Sequence, residues 1–555
     1  TTDGSAPTTG SGTLYTGPIN ISSTTNLRVI GFKADYLPTN IDTHTYLFLD
    51  DVIQQSPTGA QPTPDWPSGS VNGQIYDYGM DPAIVTGNEQ AVKDALAAIP
   101  SISISMKQSD FSGGSGIFSN PGSRGIAWER ACSVELLNDI NGGFQVEAGI
   151  RVRGGFSRST GNPKHALRLF FRKEYGDTKL RYPMFEDEGA DEFDNLDFRT
   201  SQNYSWAFQN SGNNTFMREV FGRDTQRDMG QPHTRSRYYH IYINGVYWGL
   251  YMSQERAEAS YGETYFGGDK TEYDTVKSSG SPGGYTMEVT DGNLTDWTDL
   301  WNQAIAHSNS PTIANYNQMQ GRNPDGTRNL AYPILLDTDN LIDYMLDVFY
   351  TYSTDAPLTG GGDRTNNWFG VRNRATDTEG FAYFAHDMEH SQGSNGGVSS
   401  DRTGPFNNAN ATNFSYSNPQ FIYQLLTGNP EFRMDFADRT QRHFFNGGAL
   451  TPDACFARYN ARAVTIDTAV LAESARWGDS KRAAPFLKSD WENARNYLLN
   501  TWAPQRSPIV LNQLRSDNLF PNTDAPTFSQ HGGHISSSAE LAMSNTSGIV
   551  YYTTD

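Results

Sequence analysis

Hydrophobic and polar positions change rhythm about half-way along this chain. The first 48 residues hold short alternating runs, GTLYTGPINI, TNLRVIGFKA and THTYLFL, cut by Gly, Pro and Asn turns. That is the period of half-buried strands. Residues 51–98 are rich in Pro, Gly and Asp and predict an extended linker with one short helix, EQAVKDALAAI. From about residue 100, ISISM, SVELL, FQVEAGIRVRG, ALRLFFRK, LDFRT and YYHIYINGVYWGLYMSQE predict strands. The Asn244-Gly245 pair ahead of Tyr247 marks a tight hairpin. The second half turns helical. DTDNLIDYMLDVFYTY opens on Asp caps and repeats Leu341, Met345 and Phe349 at every fourth position. PEFRMDFADRTQRHFFNGG ends on a Gly pair, and long amphipathic segments continue to about Leu519. Residues 526–555 return to strand character in PTFSQHGG, AELAMS and GIVYYTTD.

The pattern predicts an α+β protein in four parts: a partial β-sandwich module over 1–50, a linker over 51–99, a large domain over 100–520 and a second partial β module over 521–555. Within the large domain a strand-rich half precedes a helix-rich half. A length of 555 residues is too great for one ordinary core.

Charge and composition narrow the classes. There are 42 basic and 62 acidic side chains, a net charge of −20. No basic stripe appears, which argues against nucleic acid as partner. No run of about 18 apolar residues exists, so no membrane span is expected. The acidic, Asn/Thr/Ser-rich composition and seven Asn-x-Ser/Thr sites, among them Asn203, Asn293 and Asn410, fit an extracellular or cell-surface protein. No targeting segment is seen, and Thr1-Thr2-Asp3-Gly4 reads as a turn rather than a start. Cys132 and Cys455 are two buried thiols or one bridge, with the thiols preferred. The acidic run FEDEGADEFDN at 185–195 is a candidate for Ca²⁺, although its spacing matches no EF-hand and a solvated turn is the simpler reading.

The stretch from Asp355 to Glu389 carries the most chemistry. Asp355 comes first. Asn367 then opens an aromatic strand in NNWFGVRN, and a second strand, FAYFA, ends in His386-Asp387-Met388-Glu389. An Asp, an Asn and a second Asp around a strand pair supply what Mg–ATP phosphoryl transfer requires: one group to orient an acceptor hydroxyl and two to hold the metal.

Five further stretches bear on this. IRVRGGFSRSTGNPKHALRLFF, the run from NTFMREVFGRD to YINGVYWGLYMSQE, EYDTVK, NNWFGVRN and FAHDMEHS occur in order over about 400 residues. Together they resemble the CotH kinase family of atypical protein kinases. The two terminal pieces resemble halves of the immunoglobulin-like domain at the C-terminus of chitobiases and β-hexosaminidases, the first piece its second half and the last piece its first half. They are expected either to belong to modules of a longer protein or to complement each other between neighbouring molecules.

The family resemblance implies a two-lobed kinase-like domain using ATP and Mg²⁺. It implies Lys164 and Lys277 as nucleotide-side lysines, with Glu255 as the partner of one of them. Arg153 and Arg158, with Lys164 and Arg168, would form a basic cleft. The base is Asp355 or Asp363, the second of which lies four residues before Asn367. Asn367 and Asp387 are the metal ligands, and Glu389 stands where the family often has a second Asp. His386 and His390 read as packing around that site. GGFSRSTG is Gly- and Ser-rich but has no G-x-G-x-x-G.

Three functions follow. The first is a secreted or surface kinase acting on Ser/Thr hydroxyls of a protein substrate. The second is a kinase-like structural or adhesive protein whose β modules contact neighbouring subunits or glycans. The third is a glycan-acting enzyme, for which no motif singles out the necessary carboxylate pair. No G-x-S-x-G elbow supports serine hydrolysis.

Overall fold

The computed structural model describes residues 1–68, 70–71, 74–75, 77–280, 283–545 and 547–554. Its architecture is α+β. Seven strands close into a barrel in the order Asn195–Arg199, Val246–Gln254, Tyr238–Ile243, Ser101–Ser105, Arg130–Leu137, Phe144–Val152 and Leu167–Phe170, the last pairing back to the first. Every pairing is antiparallel except that of Tyr238–Ile243 with Ser101–Ser105. Strand alternation sends Ile102, Ile104, Val134, Ala148, Ile150, Leu169 and Ile241 into one core with Trp248. A barrel of this size is filled by its own side chains rather than forming a pore.

The polar positions of those strands are covered too. Ser103 and Ser105 are fully buried because a hairpin, Thr25–Val29 with Asp42–Tyr46, lies on the outside of the barrel. Thr45 Oγ1 meets Ser103 Oγ at 2.8 Å, Asn26 Nδ2 donates to Ser105 Oγ at 2.7 Å, and Arg28 pairs with Glu147 at 3.4 Å. Residues 51–99 differ from the predicted extended linker. Val52, Ile53, Met80, Ile84, Val85, Val92 and Leu96 are buried against Tyr242 and Tyr247 of the barrel hairpin. The Pro and Gly residues there break the apolar period into pieces too short to read, yet the pieces still bury.

A second sheet, antiparallel throughout, runs Met287–Asp291, Tyr273–Ser278, Trp368–Asn373, Ala382–Ala385. It abuts a helical half built around the helix Thr338–Thr351, in which every residue but Asp339 is buried. The Asp337 side chain caps it by accepting from Asn340 N at 2.9 Å. Tyr352, left-handed at φ 51°, ends it just ahead of Asp355. The expected Asp cap and the Leu341, Met345, Phe349 stripe are both present, all three side chains lying in the main core. Cys132 and Cys455 are free and buried, in the barrel and the helical half respectively. At the C-terminal end the strands Thr527–Phe528 and Met543–Ser544 pair over two residues.

One short helix, Val470–Trp477, joins the halves. It lies against the barrel at Gly249, whose φ of +124° suits glycine. A β-carbon there would come within 2.7 Å of Glu473 Oε2 and 2.9 Å of Lys164 Cε. Glu473 accepts from Lys164 Nζ at 2.5 Å and from Leu250 N at 2.7 Å, and Lys164 Nζ also donates to Leu250 O at 2.9 Å. Trp477 Nε1 donates to Trp248 O at 2.6 Å. Both charges are almost fully buried, so removing one leaves the other without its counter-ion. We expect Lys164→Met to lower the unfolding free energy by about 3–5 kcal/mol. Adding Glu473→Gln should recover much of the loss. Denaturant titrations of the two variants check this; an unchanged midpoint for Lys164→Met would remove the role of the pair.

Candidate functional site

A cavity of about 460 Å³ opens where the barrel meets the second sheet. The barrel contributes the loop after Phe144–Val152, the ends of its neighbouring strands and Arg199 with Thr200. The sheet contributes Lys277–Gly280, Asn366–Phe369 and the residues after Ala382–Ala385. The helical half contributes Asp355.

Its charge is opposite to that of the chain. Arg124, Arg151, Arg153, Arg158, Arg168, Arg199, Arg256 and Lys277 line it, against the carboxylates Asp355 and Asp387. Just behind the wall, fully buried Asp197 meets Arg153 at 2.9 Å and Arg168 at 2.5 Å. Burial works to raise the Asp197 pKa, but these guanidiniums outweigh it and keep the carboxyl ionised. Arg158 is held differently. Its Nε donates to Gly154 O at 2.8 Å and its Nη1 to Ser123 O at 2.6 Å, both backbone carbonyls. Burial and the neighbouring Arg124, Arg168 and Arg151 lower its pKa to about 10. A group of guanidiniums that repel one another in a partly dry wall favours an anion among them. The Gly154–Arg158 loop is thus shaped by an arginine and by Gly154 at φ +110° rather than by a G-x-G-x-x-G run.

The polar centre follows from the strand pair. Asn367 precedes Trp368–Asn373 in left-handed conformation, φ 51°, and its Nδ2 donates to Asp355 Oδ2 at 3.0 Å. Asp387, two residues beyond Ala382–Ala385, is also left-handed at φ 56°, and Arg199 Nη2 donates to its Oδ1 at 2.6 Å. Strained non-glycine conformations of this kind persist where the surroundings over-determine them, often at functional sites. The two carboxyls are driven apart. Burial raises Asp355, with Asp387 adding to it against a Thr359 hydrogen bond and the charge of His390. Burial would raise Asp387 as well, but Arg199 and then Arg153 hold it low. One carboxyl suited to taking a proton beside another kept ionised is the arrangement of divided acid–base and charge roles. His386 packs edge-on to Phe369, 4.9 Å between ring centroids, and burial with nearby arginines keeps it neutral. His390 Nδ1 lies 2.7 Å from Tyr204 Oη.

Of the residues singled out from the sequence, Asp355, Asn367, Asp387, Lys277, Arg153 and Arg158 line this cavity, as does Arg168. Four do not. Asp363 is half-exposed beside Arg364 in the small hairpin Leu358–Thr359 with Arg364–Thr365. Lys164 faces Glu473 beneath the barrel. Glu255 pairs with Arg235 at 3.0 Å and accepts from Tyr265 Oη, so it partners neither Lys164 nor Lys277, whose ammonium meets Glu288. Glu389 turns from the cavity to accept the backbone N–H groups of Asn203 at 2.8 Å and Gln202 at 3.4 Å. Burial, with Asp387 nearby, pushes Glu389 up to about 8 despite Arg199, and its oxygens are engaged by Arg199 and the two backbone N–H groups, which leaves it ill placed to ligate a cation in the cavity. Four of the six acids of 185–195 face basic side chains: Glu186 faces Arg237, Glu188 Arg227, Glu192 Arg181 and Asp194 Lys270.

Arg199 and Arg256 had no motif to announce them. The available signal was alternation: in NLDFR, Leu196 and Phe198 enter the barrel core while Asp197 and Arg199 share the other face. Among the described residues no three His, Cys, Asp or Glu side chains form a metal-holding group. A cation here would rest on Asn367 Oδ1 and the oxygen of Asp387 not engaged by Arg199. That sparse hard-oxygen set suits Mg²⁺, which binds through one or two protein groups together with substrate phosphates and water.

Residues 150–510 match the family model described as CotH kinase protein. The chain belongs to the CotH kinase family. The match spans most of the barrel, the second sheet and the helical half, and with them all the cavity-lining groups except Arg124. In this CotH chain residues 1–43 match the chitobiase/beta-hexosaminidase C-terminal domain, which includes the first strand of the hairpin docked on the barrel. No curated protein matches the chain.

The raised Glu389 carboxyl makes stability pH-dependent. Its folded pKa lies above the ordinary carboxylate value, so between about 4.5 and 8 the folded state binds more protons than the unfolded state. Its contribution is therefore intact below that window and is lost as pH rises through it. Glu389→Gln keeps an acceptor for one backbone N–H and cannot ionise. We expect the melting temperature of wild type relative to Glu389→Gln to fall from pH 5 to pH 8.5; parallel curves would remove the assignment.

Proposed function

We propose that this protein is an atypical protein kinase, acting outside the cell or at its surface, that transfers the γ-phosphoryl group of ATP to Ser/Thr hydroxyls. The observation that carries the reading is a strongly basic cavity, in a chain of net charge −20, with Asp355, Asn367 and Asp387 in its wall. The strand-rich half plays the part of an N-lobe and the helical half that of a C-lobe, with the cavity between them. Arg153, Arg158, Arg168, Arg256 and Lys277 face the nucleotide phosphates and offset their charge. Asn367 and Asp387 hold Mg²⁺, which when bound neutralises charge on the phosphate oxygens. Asp355, raised by burial and held by Asn367, orients the acceptor hydroxyl and takes its proton. The hydroxyl oxygen bonds to the γ-phosphorus, the bond to the β-bridging oxygen breaks, and ADP leaves with that electron pair.

A second reading is a kinase-like scaffold of low activity in an extracellular assembly, with the β modules as connectors or glycan contacts. It is favoured by the placement of Lys164 and Glu255, which are engaged elsewhere. Mg–ATP separates the two. A ligand at 100 times its Kd stabilises the folded state by about 2.7 kcal/mol, so a kinase should melt higher with Mg–ATP. Asp355→Asn should lower transfer by about 10²–10⁴-fold, and Asp387→Asn should abolish it, each in protein that stays folded without ligand. Transfer of labelled phosphate at the wild-type rate in folded Asp387→Asn would sink the kinase reading.

A further inference from the structure

Arg199 ends the barrel strand Asn195–Arg199, is 4% exposed, and reaches three carboxylates. Its Nη2 donates to Asp387 Oδ1 at 2.6 Å and Glu389 Oε1 at 3.4 Å, and its Nη1 to Glu219 Oε1 at 3.3 Å. The three carboxyl groups are not equivalent. Glu219, on the helix Arg218–Asp228, also accepts from Arg223 and from the backbone N–H of Met388. Glu389 accepts the backbone N–H groups of Gln202 and Asn203. Both are therefore tied to main chain on either side of the cavity. Asp387 alone of the three lines the cavity. The two residues that follow it are fixed, Met388 through its backbone N–H by Glu219 and Glu389 through its side chain by the 202–203 loop.

A guanidinium suits this place because it is planar and forked. It can meet a fixed pair of acceptors while directing a third bond, whereas an ammonium acts as a point charge. We propose that Arg199 is a positioning residue: anchored by Glu219 and Glu389, it holds one oxygen of Asp387 and turns the other toward a divalent cation in the cavity. This rests on the phosphotransfer reading of the same site. Three features of the structure meet in it: the left-handed backbone of Asp387, the burial of Arg199, and the withdrawal of Glu389 from the cavity.

The test uses Mn²⁺ as probe on the full chain, with bound ion read by electron paramagnetic resonance with and without ATP. Arg199→Gln should weaken Mn²⁺ binding tenfold or more, and Arg199→Lys should restore part of it. Glu219→Gln, which loosens an anchor and leaves Arg199 in place, should weaken it several-fold. In transfer assays the metal concentration for half-maximal rate should rise more than the rate at saturation falls. Melting temperatures separate this from general damage: a merely structural Arg199 would lower the melting temperature and leave the Mn²⁺ affinity of the folded fraction at wild type. Wild-type Mn²⁺ affinity in folded Arg199→Gln, or in both Arg199→Lys and Glu219→Gln, overturns the proposal. Wild-type protein that binds Mn²⁺ but transfers no phosphoryl group overturns the kinase reading and leaves the Arg199 comparison intact. Wild-type protein that takes up no Mn²⁺ in either condition removes both.

Discussion

The cavity depends on one buried carboxylate, Asp197. It is fully enclosed, and it holds Arg153 and Arg168 side by side in the barrel wall. Guanidiniums so close repel, and each would lose solvation on entering a partly dry wall. Breaking such a buried pair by removing one partner leaves an uncompensated charge. With Asp197 in place the wall keeps its charge without collapsing onto the acidic groups across the cavity. Two positions along the same strand, Arg199 repeats the device in the other direction, as a buried cation among anions. One strand of five residues thus sets the electrostatics of both sides of the site.

The second constraint is backbone aim. Asp355, Asn367 and Asp387 lie in three separate places along the chain, yet a single antiparallel hairpin and the end of one almost fully buried helix bring them to one wall. Asn367 and Asp387 both occupy left-handed conformations at the edges of paired strands. The sheet fixes where each strand begins and ends, and the left-handed residue turns the side chain out of the pleat into open space. Packing fixes the direction, so the chemistry needs few residues.

That logic also marks what was readable from sequence. The barrel strands, the Asn244-Gly245 hairpin and the capped central helix were legible because each rests on a local period or turn chemistry. The three polar groups of the site were legible because the hairpin between Asn367 and Asp387 is local. Lys164 was not. A lysine after a proline in NPKHALRL looks the same whether it faces a nucleotide or a carboxylate, and its partner lies 309 residues away. Glu255 and Glu389 failed for the same reason, since alternation gives a face and not the group waiting there. Sequence favoured Asp355 over Asp363 only narrowly because the Gly360-Gly361-Gly362 insertion blurs register. In space they separate, one onto a short hairpin and the other into the cavity wall.

The hairpin laid on the outside of the barrel has a mechanical meaning. Its grip is made of hydroxyl, amide and guanidinium contacts from Asn26, Arg28 and Thr45 to Ser103 and Ser105, to Glu135 and to Glu147, on three neighbouring barrel strands. Such bonds are directional and resist sliding better than a greasy contact of equal area. A pull on this β module would be spread over three neighbouring strands as shear. The module is therefore a bracket riveted to the barrel rather than a bead on a string.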